Sequence, residues 1–192
     1  MWFEANIDGV GQGASAWSDG ESAMVHISEA CSRNLPVEIE ETHDPITVER
    51  CELIPDSGGA GRFRGSLGIV RDYPLHEDSR FISAPERCTS PHWGIDGGGD
   101  GARTYGVLES SLHGTIEIMK TPDMPMAAND LVSIRTGGGG FGNPLTRDPA
   151  SVLHDVLDGY ISLKSARTDY GVVIDTTTLT LDEAATATQR AL

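Results

Sequence analysis

The chain predicts an α+β fold dominated by strands, with an antiparallel sandwich or barrel-like body and a small C-terminal helical appendix. Three observations carry this expectation. Short segments with strand-like alternation recur between residues 46 and 135, each bounded by Gly, Pro, Asn or Asp. Helix start and stop signals gather only after residue 147. Glycine supplies 23 of 192 residues, in clusters rather than at a fixed period, which suits tight turns and close backbone approach and excludes collagen-like or solenoid repeats.

Taken in order, residues 1–33 hold Gly9, Gly11, Gly13 and Gly20 with little periodicity. They read as an irregular glycine-rich segment packed on a partner chain. A β-rich body then spans 34–146, and a helical appendix and tail spans 147–192. The run Ile46 to Leu53 alternates and breaks at Pro55-Asp56-Ser57-Gly58-Gly59. Further strands are expected at Leu67 to Tyr73, Arg80 to Ser83, Tyr105 to Ser110, Thr115 to Met119 and Leu131 to Arg135.

Asp148 followed by Pro149 is an N-cap with proline at the first helical position, and Val152, Leu153, Val156 and Leu157 form the apolar face behind it. Gly159 provides the left-handed stop. Ser162 caps a second short helix through Arg167, and Thr180-Leu181-Asp182-Glu183 has the pattern of a capping box opening an Ala/Thr-rich tail helix.

Charge narrows the partners. With 14 Lys+Arg against 29 Asp+Glu the formal net charge is −15, so the chain lacks the basic footprint that nucleic acids or anionic membranes require. No stretch approaches the ~18 apolar residues of a membrane span. Met1-Trp2-Phe3-Glu4 lacks a basic n-region and an apolar h-region, so no signal peptide is read and cytoplasm is the expected compartment. Cys31, Cys51 and Cys88 form neither a disulfide framework nor a CxxC site.

Two loops stand out. Asp56 to Gly65 (DSGGAGRFRG) joins backbone N–H groups freed by Gly58 and Gly59 to Arg62 and Arg64, which would project together from an extended chain. Such a set can hold a carboxylate or phosphate. Equally, Asp56 can satisfy loop amides while the arginines pair with the chain's many carboxylates. Ser57 has no histidine near it in sequence to act as a base. Thr136 to Pro144 contains Gly137, Gly138, Gly139 and Gly140, able to approach a ligand or to pack against another chain or domain, but it matches neither a Walker A loop nor a dinucleotide fingerprint. Candidate ligand- or anion-binding residues are therefore Asp56, Ser57, Gly58, Gly59, Arg62, Arg64, Gly138, Gly139 and Gly140. No metal site is expected: the six histidines are scattered, and the one dense cluster, His43-Asp44 beside Glu38, Glu40 and Glu41, reads equally as a solvated acidic strand or loop.

Several of these segments in order resemble the C-terminal region of the hydantoinase B/oxoprolinase family. They are Asn34 to Glu38 with Glu41 and Pro45, Pro55 to Gly65, Pro91-His92-Trp93-Gly94, Gly137 to Pro144, Arg147-Asp148-Pro149, and Asp155-Val156 with Gly159, Ser162, Ala166 and Tyr170-Gly171-Val172. The correspondence runs from about residue 9 to 173, with Ser66 where a second glycine is common and Asn143 where Asp is common. The resemblance implies a subunit or fragment of an ATP-dependent cyclic amide hydrolase of the hydantoinase/5-oxoprolinase type, in which the substrate carbonyl is activated by phosphorylation from ATP, largely on an A-type partner.

The family's His/Asp-rich metal motifs lie in the N-terminal part of the B component and have no counterpart here. The chain is therefore expected to correspond to roughly the last third of a B component, either as one piece of a split subunit or as a truncated remnant. Its implied partners are a hydantoinase A-type subunit and a chain carrying the N-terminal B segment, in a hetero-oligomer. ATP and a divalent metal are implied for the whole complex and neither for this chain alone. A non-catalytic scaffold or relic of such a complex, and a subunit of an acetone or acetophenone carboxylase-type enzyme, are the alternative readings.

Overall fold

A computed structural model of the chain describes residues 11–24 and 35–191. Expectations falling on residues 1–10, 25–34 and 192, including the place of Cys31, lie outside the described residues.

The body is a five-stranded antiparallel sheet in the order β1-β2-β7-β4-β5, accompanied by a two-stranded ribbon of β3 and β6. Its strands are β1 (Arg50–Ile54), β2 (Gly68–Pro74), β4 (Tyr105–Ser110), β5 (Gly114–Ile118) and β7 (Leu131–Arg135), with β3 (Ser79–Ser83) and β6 (Thr121–Met126) in the ribbon. Register follows the alternation of side chains: Tyr73 pairs with Val132, and Leu108 pairs with Val132 and Ile116. Tyr73, Leu108, Ile118 and Val132 of the sheet meet Phe81 and Met126 of the ribbon in one core, with Ile46 and Leu75 beside them. The β-dominated α+β expectation is borne out.

Three features depart from the sequence reading. Residues Val37–His43 form a helix, α1, where the sequence reads as a solvated acidic strand or loop. Its inward residue is a charge, Glu40, paired with the buried Arg71 of β2 at 3.6 Å, so no apolar periodicity announces it. The acidic residues in its first turn and His43 in its last do complement the helix dipole. Second, β6 contains Pro122 and Pro125, residues that argue against a central strand. It pairs with β3 alone, and on such a strand a missing N–H leaves no ladder bond broken on the open side. Third, β1 starts at Arg50, although the alternating run from Ile46 already tracks β2 through an Ile46–Leu75 bridge and a bond from Glu49 N–H to the Asp72 carbonyl.

The C-terminal unit follows its capping residues. Asp148 accepts from the Ala150 N–H to open α2 (Pro149–Leu157), and Ser162 Oγ accepts from the Ser165 N–H to open α3 (Leu163–Thr168). Gly159 takes φ +75° between them. The tail helix α4 (Glu183–Arg190) is capped by Asp182 and not by Thr180, since the Asp182 carboxylate receives the Ala185 N–H at 2.9 Å. Val152, Ile161, Ala166, Tyr170, Val172 and Ile174 make a second core. Leu157, expected on the apolar face of α2, is exposed, and Asp155 is buried in that helix instead.

Candidate functional site

Between the two cores lies a layer of extended glycine backbone. Gly58 bridges Gly138 in parallel, Phe63 bridges Phe141 in antiparallel, and Ile95 bridges Phe141 in parallel. Cross-bonds join the segments: the Gly59 N–H to the Gly138 carbonyl at 2.7 Å, the Gly99 N–H to the Ala60 carbonyl at 2.6 Å, and the Gly140 N–H to the Gly99 carbonyl at 3.0 Å. The chains are too close for side chains. A Cβ on Gly140 would lie 2.5 Å from the Gly59 carbonyl oxygen, and one on Gly98 would lie 2.5 Å from that of Gly140. The space beside Gly139 and Gly140 is thus occupied by other backbone, and that beside Gly138 by the Ser66 hydroxyl.

The described part of the N-terminal segment joins this layer. Ala14 N–H donates to the Gly139 carbonyl at 2.9 Å, Ser66 N–H to the Gln12 carbonyl at 3.1 Å, and Gly20 N–H to the Arg64 carbonyl at 2.8 Å. Residues 11–24 therefore make these bonds within the chain.

The loop residues divide their duties. Asp56, at φ +60°, accepts the Ser162 N–H through Oδ1 at 2.7 Å and links the loop to the first turn of α3. Ser57 Oγ donates to the Ile54 carbonyl at 2.6 Å and accepts from the Gly68 N–H at 2.7 Å, a turn-closing arrangement. Arg62 and Arg64 do not project together. Arg64 is buried over the Tyr160 ring and 3.4 Å from Asp155. Arg62 is exposed, stacks on Phe63 and makes no ion pair among the described residues.

Arg64 belongs to a buried charge cluster that no local sequence signal announces. Arg147 grips Asp19 through both terminal nitrogens at 2.6 and 2.7 Å and donates to Asp155 at 2.9 Å. The backbone N–H of Arg64 adds a bond to Asp19 at 2.8 Å. Two arginines thus face two carboxylates, and the cluster is balanced, as burial of charge demands. Burial works to raise the pKa of Asp19, but the hydrogen bond and charge of Arg147 outweigh it and hold the carboxyl below its usual range. Burial likewise works against the charge on Arg147, and the Asp19 bond with the Asp155 and Asp19 charges raises its pKa nonetheless. The Tyr170 phenol beside them is pushed up by burial and keeps its proton.

A cleft of about 360 Å³ opens beside this cluster, lined by Ser18, Asp19, Arg62, Phe63, Arg147 and Ser151 among others. Neither of the groups implied for the complete complex fits the described residues. No three His, Cys, Asp or Glu side chains among them are placed to hold a metal ion. The glycine loops, which in open form could cradle a phosphate, are filled by neighbouring backbone. Among the described residues no helix is long and apolar enough to cross a membrane.

The fold and layer define one portion of a larger protein class, with a strand-dominated body, an interleaved glycine layer and a helical unit clamped to it by buried arginines. The family model for hydantoinase B/oxoprolinase matches residues 1–144, and the chain belongs to that family. It is 33% identical over 178 residues to the B component of a putative D-/L-hydantoinase of Pseudomonas sp. (strain NS671), covering 90% of this chain and 30% of that one. It is 36% identical over 166 residues to the beta component of the caprolactamase of Pseudomonas jessenii, covering 81% and 28%.

Against the crystal structure of the ATP-dependent caprolactamase from that organism, it superposes with a TM-score of 0.77 at 29% identity, over 97% of this chain and 33% of the other. The nucleotide-free structure of acetone carboxylase shares the fold, with a TM-score of 0.79 at 24% identity, over 96% and 29%. The chain spans about a third or less of the length of these relatives.

Proposed function

We propose that this chain completes the B component of an ATP-dependent cyclic amide hydrolase, acting with an A-type partner and with the remainder of a B-type fold. The observation that carries the reading is the superposition on the ATP-dependent caprolactamase over 97% of the chain. The 36% identity to the caprolactamase beta component and the 33% identity to the putative hydantoinase B component favour cyclic amides as substrates. ATP and a divalent metal are taken to act in the complete complex, and among the described residues no group of three His, Cys, Asp or Glu is placed to hold a metal ion.

On this reading the chain's work is positional. The glycine layer sets a rigid platform, and the Asp19–Arg147–Asp155–Arg64 cluster holds the helical unit against it. Of the nine residues singled out from sequence, Arg62 is the one with a charged side chain at the open cleft and no ion pair among the described residues, so it is the candidate for an anion contact. A second reading, as part of a carboxylase acting on a ketone, is favoured by the fold shared with acetone carboxylase.

The test is reconstitution. The tagged chain is purified from its native host with whatever accompanies it, and the complex is assayed for ATP-dependent hydrolysis of hydantoin, 5-oxoproline and caprolactam, and for bicarbonate-dependent carboxylation of ketones. Ring opening that requires this chain supports the proposal, and carboxylation moves the assignment to the second reading. A chain recovered alone and folded overturns both in favour of a scaffold or relic.

A further inference from the structure

Both described tryptophans lie on the surface in a chain whose aromatic content is only 6%. Trp17 is 81% exposed and Trp93 58%, with Ile95 at 54%. Burial of large apolar side chains is favourable, so three left open on segments that meet at one glycine strand signal a cover.

Their backbone addresses bring them together. Trp17 rides on the Ser15–Ser18 turn, which is closed by the Ser15 N–H to the Ser18 carbonyl at 3.0 Å and anchored by Ala14 on the Gly139 carbonyl. Trp93 presents its own carbonyl to the Cα of the same Gly139, where a side chain would collide. Ile95 runs on beside it, its N–H on the Gly140 carbonyl at 3.0 Å and its carbonyl receiving the Gly142 N–H at 2.9 Å. Residues 14–18 and 93–95 thus flank one glycine strand. Arg87, at φ +61°, stacks on Trp93 at 3.9 Å and holds that ring in place. The layer cannot shift to bury these side chains, because its glycine backbones are already in contact. Leu112, Leu157 and Leu179, also exposed, lie far from these residues and from one another in sequence.

We infer that Trp17, Trp93 and Ile95 form the docking surface for the remaining two thirds of a hydantoinase-B-type fold, whether on the same polypeptide or on another. The inference rests on the proposed function and adds the face to it. The occupant follows from length: the chain fills 33% of a caprolactamase chain, so the larger part of such a fold must meet this portion. An interface between parts of one domain-sized unit is apolar at its centre, where tryptophan is enriched and carries much of the binding energy.

The test places a benzophenone photocrosslinker at position 17 or 93, and at 112 as a control, in the full chain expressed in its native host. Crosslinked peptides are then sequenced. Crosslinks from 17 and 93, and not from 112, into a sequence carrying the missing B-type segment are expected. The Trp17→Ser/Trp93→Ser variant should keep its melting temperature and bind that segment about tenfold or more weakly, as loss of a hot spot implies. A complex that forms with crosslinks only from 112, or unweakened by the double variant, overturns the assigned face and leaves the proposed function standing. Crosslinks from 17 and 93 into a second copy of this chain overturn the assigned occupant. Absence of any complex overturns both.

Discussion

Arg147 closes on Asp19 across 128 positions of sequence, both terminal nitrogens bonded to both carboxylate oxygens at 2.6 and 2.7 Å. One ion pair therefore ties the N-terminal segment to the start of the helical unit. Asp155 and Arg64 extend the tie to α2 and to the glycine loop. Arg190 adds bonds to the Arg147 and Tyr170 carbonyls and draws in the tail helix.

Breaking that tie should uncouple the helical unit. Arg147→Met leaves the carboxylates of Asp19 and Asp155 without their main partner, and losing one side of a buried pair costs about 3–5 kcal/mol. For a chain of this length that corresponds to a fall in Tm of about 6–20 °C. Thermal unfolding followed by circular dichroism reads it. The double variant Asp19→Asn/Arg147→Met should be less unstable than the two single losses summed. Full additivity would show that the pair is not coupled.

Acid should attack the same place. A carboxyl whose folded pKa lies below its unfolded value stabilises the fold above the unfolded pKa, and that stability is lost as pH falls through the folded one. Asp19 has this sign, and so does Asp130, where burial is outweighed by bonds from Ser110, Ser111 and the Ala127 N–H. Both contributions should be complete above about pH 5 and decline below the ordinary aspartate value of 3.8. Glu40 has the opposite sign: burial raises its pKa against the pull of Arg71, so its contribution fades as pH rises through that raised value. Urea titrations between pH 3 and 7 should show a steeper acid limb in wild type than in Asp19→Asn. Parallel limbs would show that Asp19 does not carry the acid sensitivity.

Six of the seven strands were legible in the sequence, because apolar positions such as Leu108 and Val132 recur at strand-like spacing between turn residues. Strand β6 was not, because its Pro122 and Pro125 argue against a strand. The α2 and α3 starts were legible, because Asp148 and Ser162 cap locally. Helix α1 was not, since its buried position is the charged Glu40, whose partner Arg71 lies on another element. The glycine loops announced close approach without naming the neighbours, which are backbone of other loop segments and, at Gly138, the Ser66 hydroxyl. The i, i+2 spacing of Arg62 and Arg64 suggested a pair only on the assumption of a straight chain. One faces solvent and the other Asp155, and nothing local encodes that turn.

Adjacent glycines give a sharp test of the layer. A Cβ on Gly98 would lie 2.5 Å from the Gly140 carbonyl oxygen and 2.8 Å from the Phe141 nitrogen, both fixed backbone. On Gly99 the nearest atoms are the Ala60 nitrogen and oxygen at 3.4 Å, ordinary contact. Gly98→Ala should destabilise by about 4 kcal/mol or more, or prevent folding. Gly99→Ala should stay within about 1 kcal/mol of wild type, since less freedom in the unfolded chain offsets the crowding. Equal tolerance of the two changes would mean the strands are not packed as described.

The two loop arginines separate by the same reasoning. Arg64→Gln removes a buried charge that faces Asp155 and stacks on Tyr160, and should lower stability by about 3 kcal/mol. Arg62→Gln touches only an exposed stack on Phe63, so its stability should lie within about 0.5 kcal/mol of wild type. If Arg62 meets an anion in the assembled enzyme, Arg62→Gln should lower turnover or raise KM by about tenfold while Tm holds, the worth of one charge-assisted bond. Unchanged kinetics at unchanged Tm would leave the arginine as surface. Arg62→Lys sharpens the reading, because a lysine keeps the charge but not the planar two-pronged donor set, so partial rescue points to charge and none points to bidentate geometry.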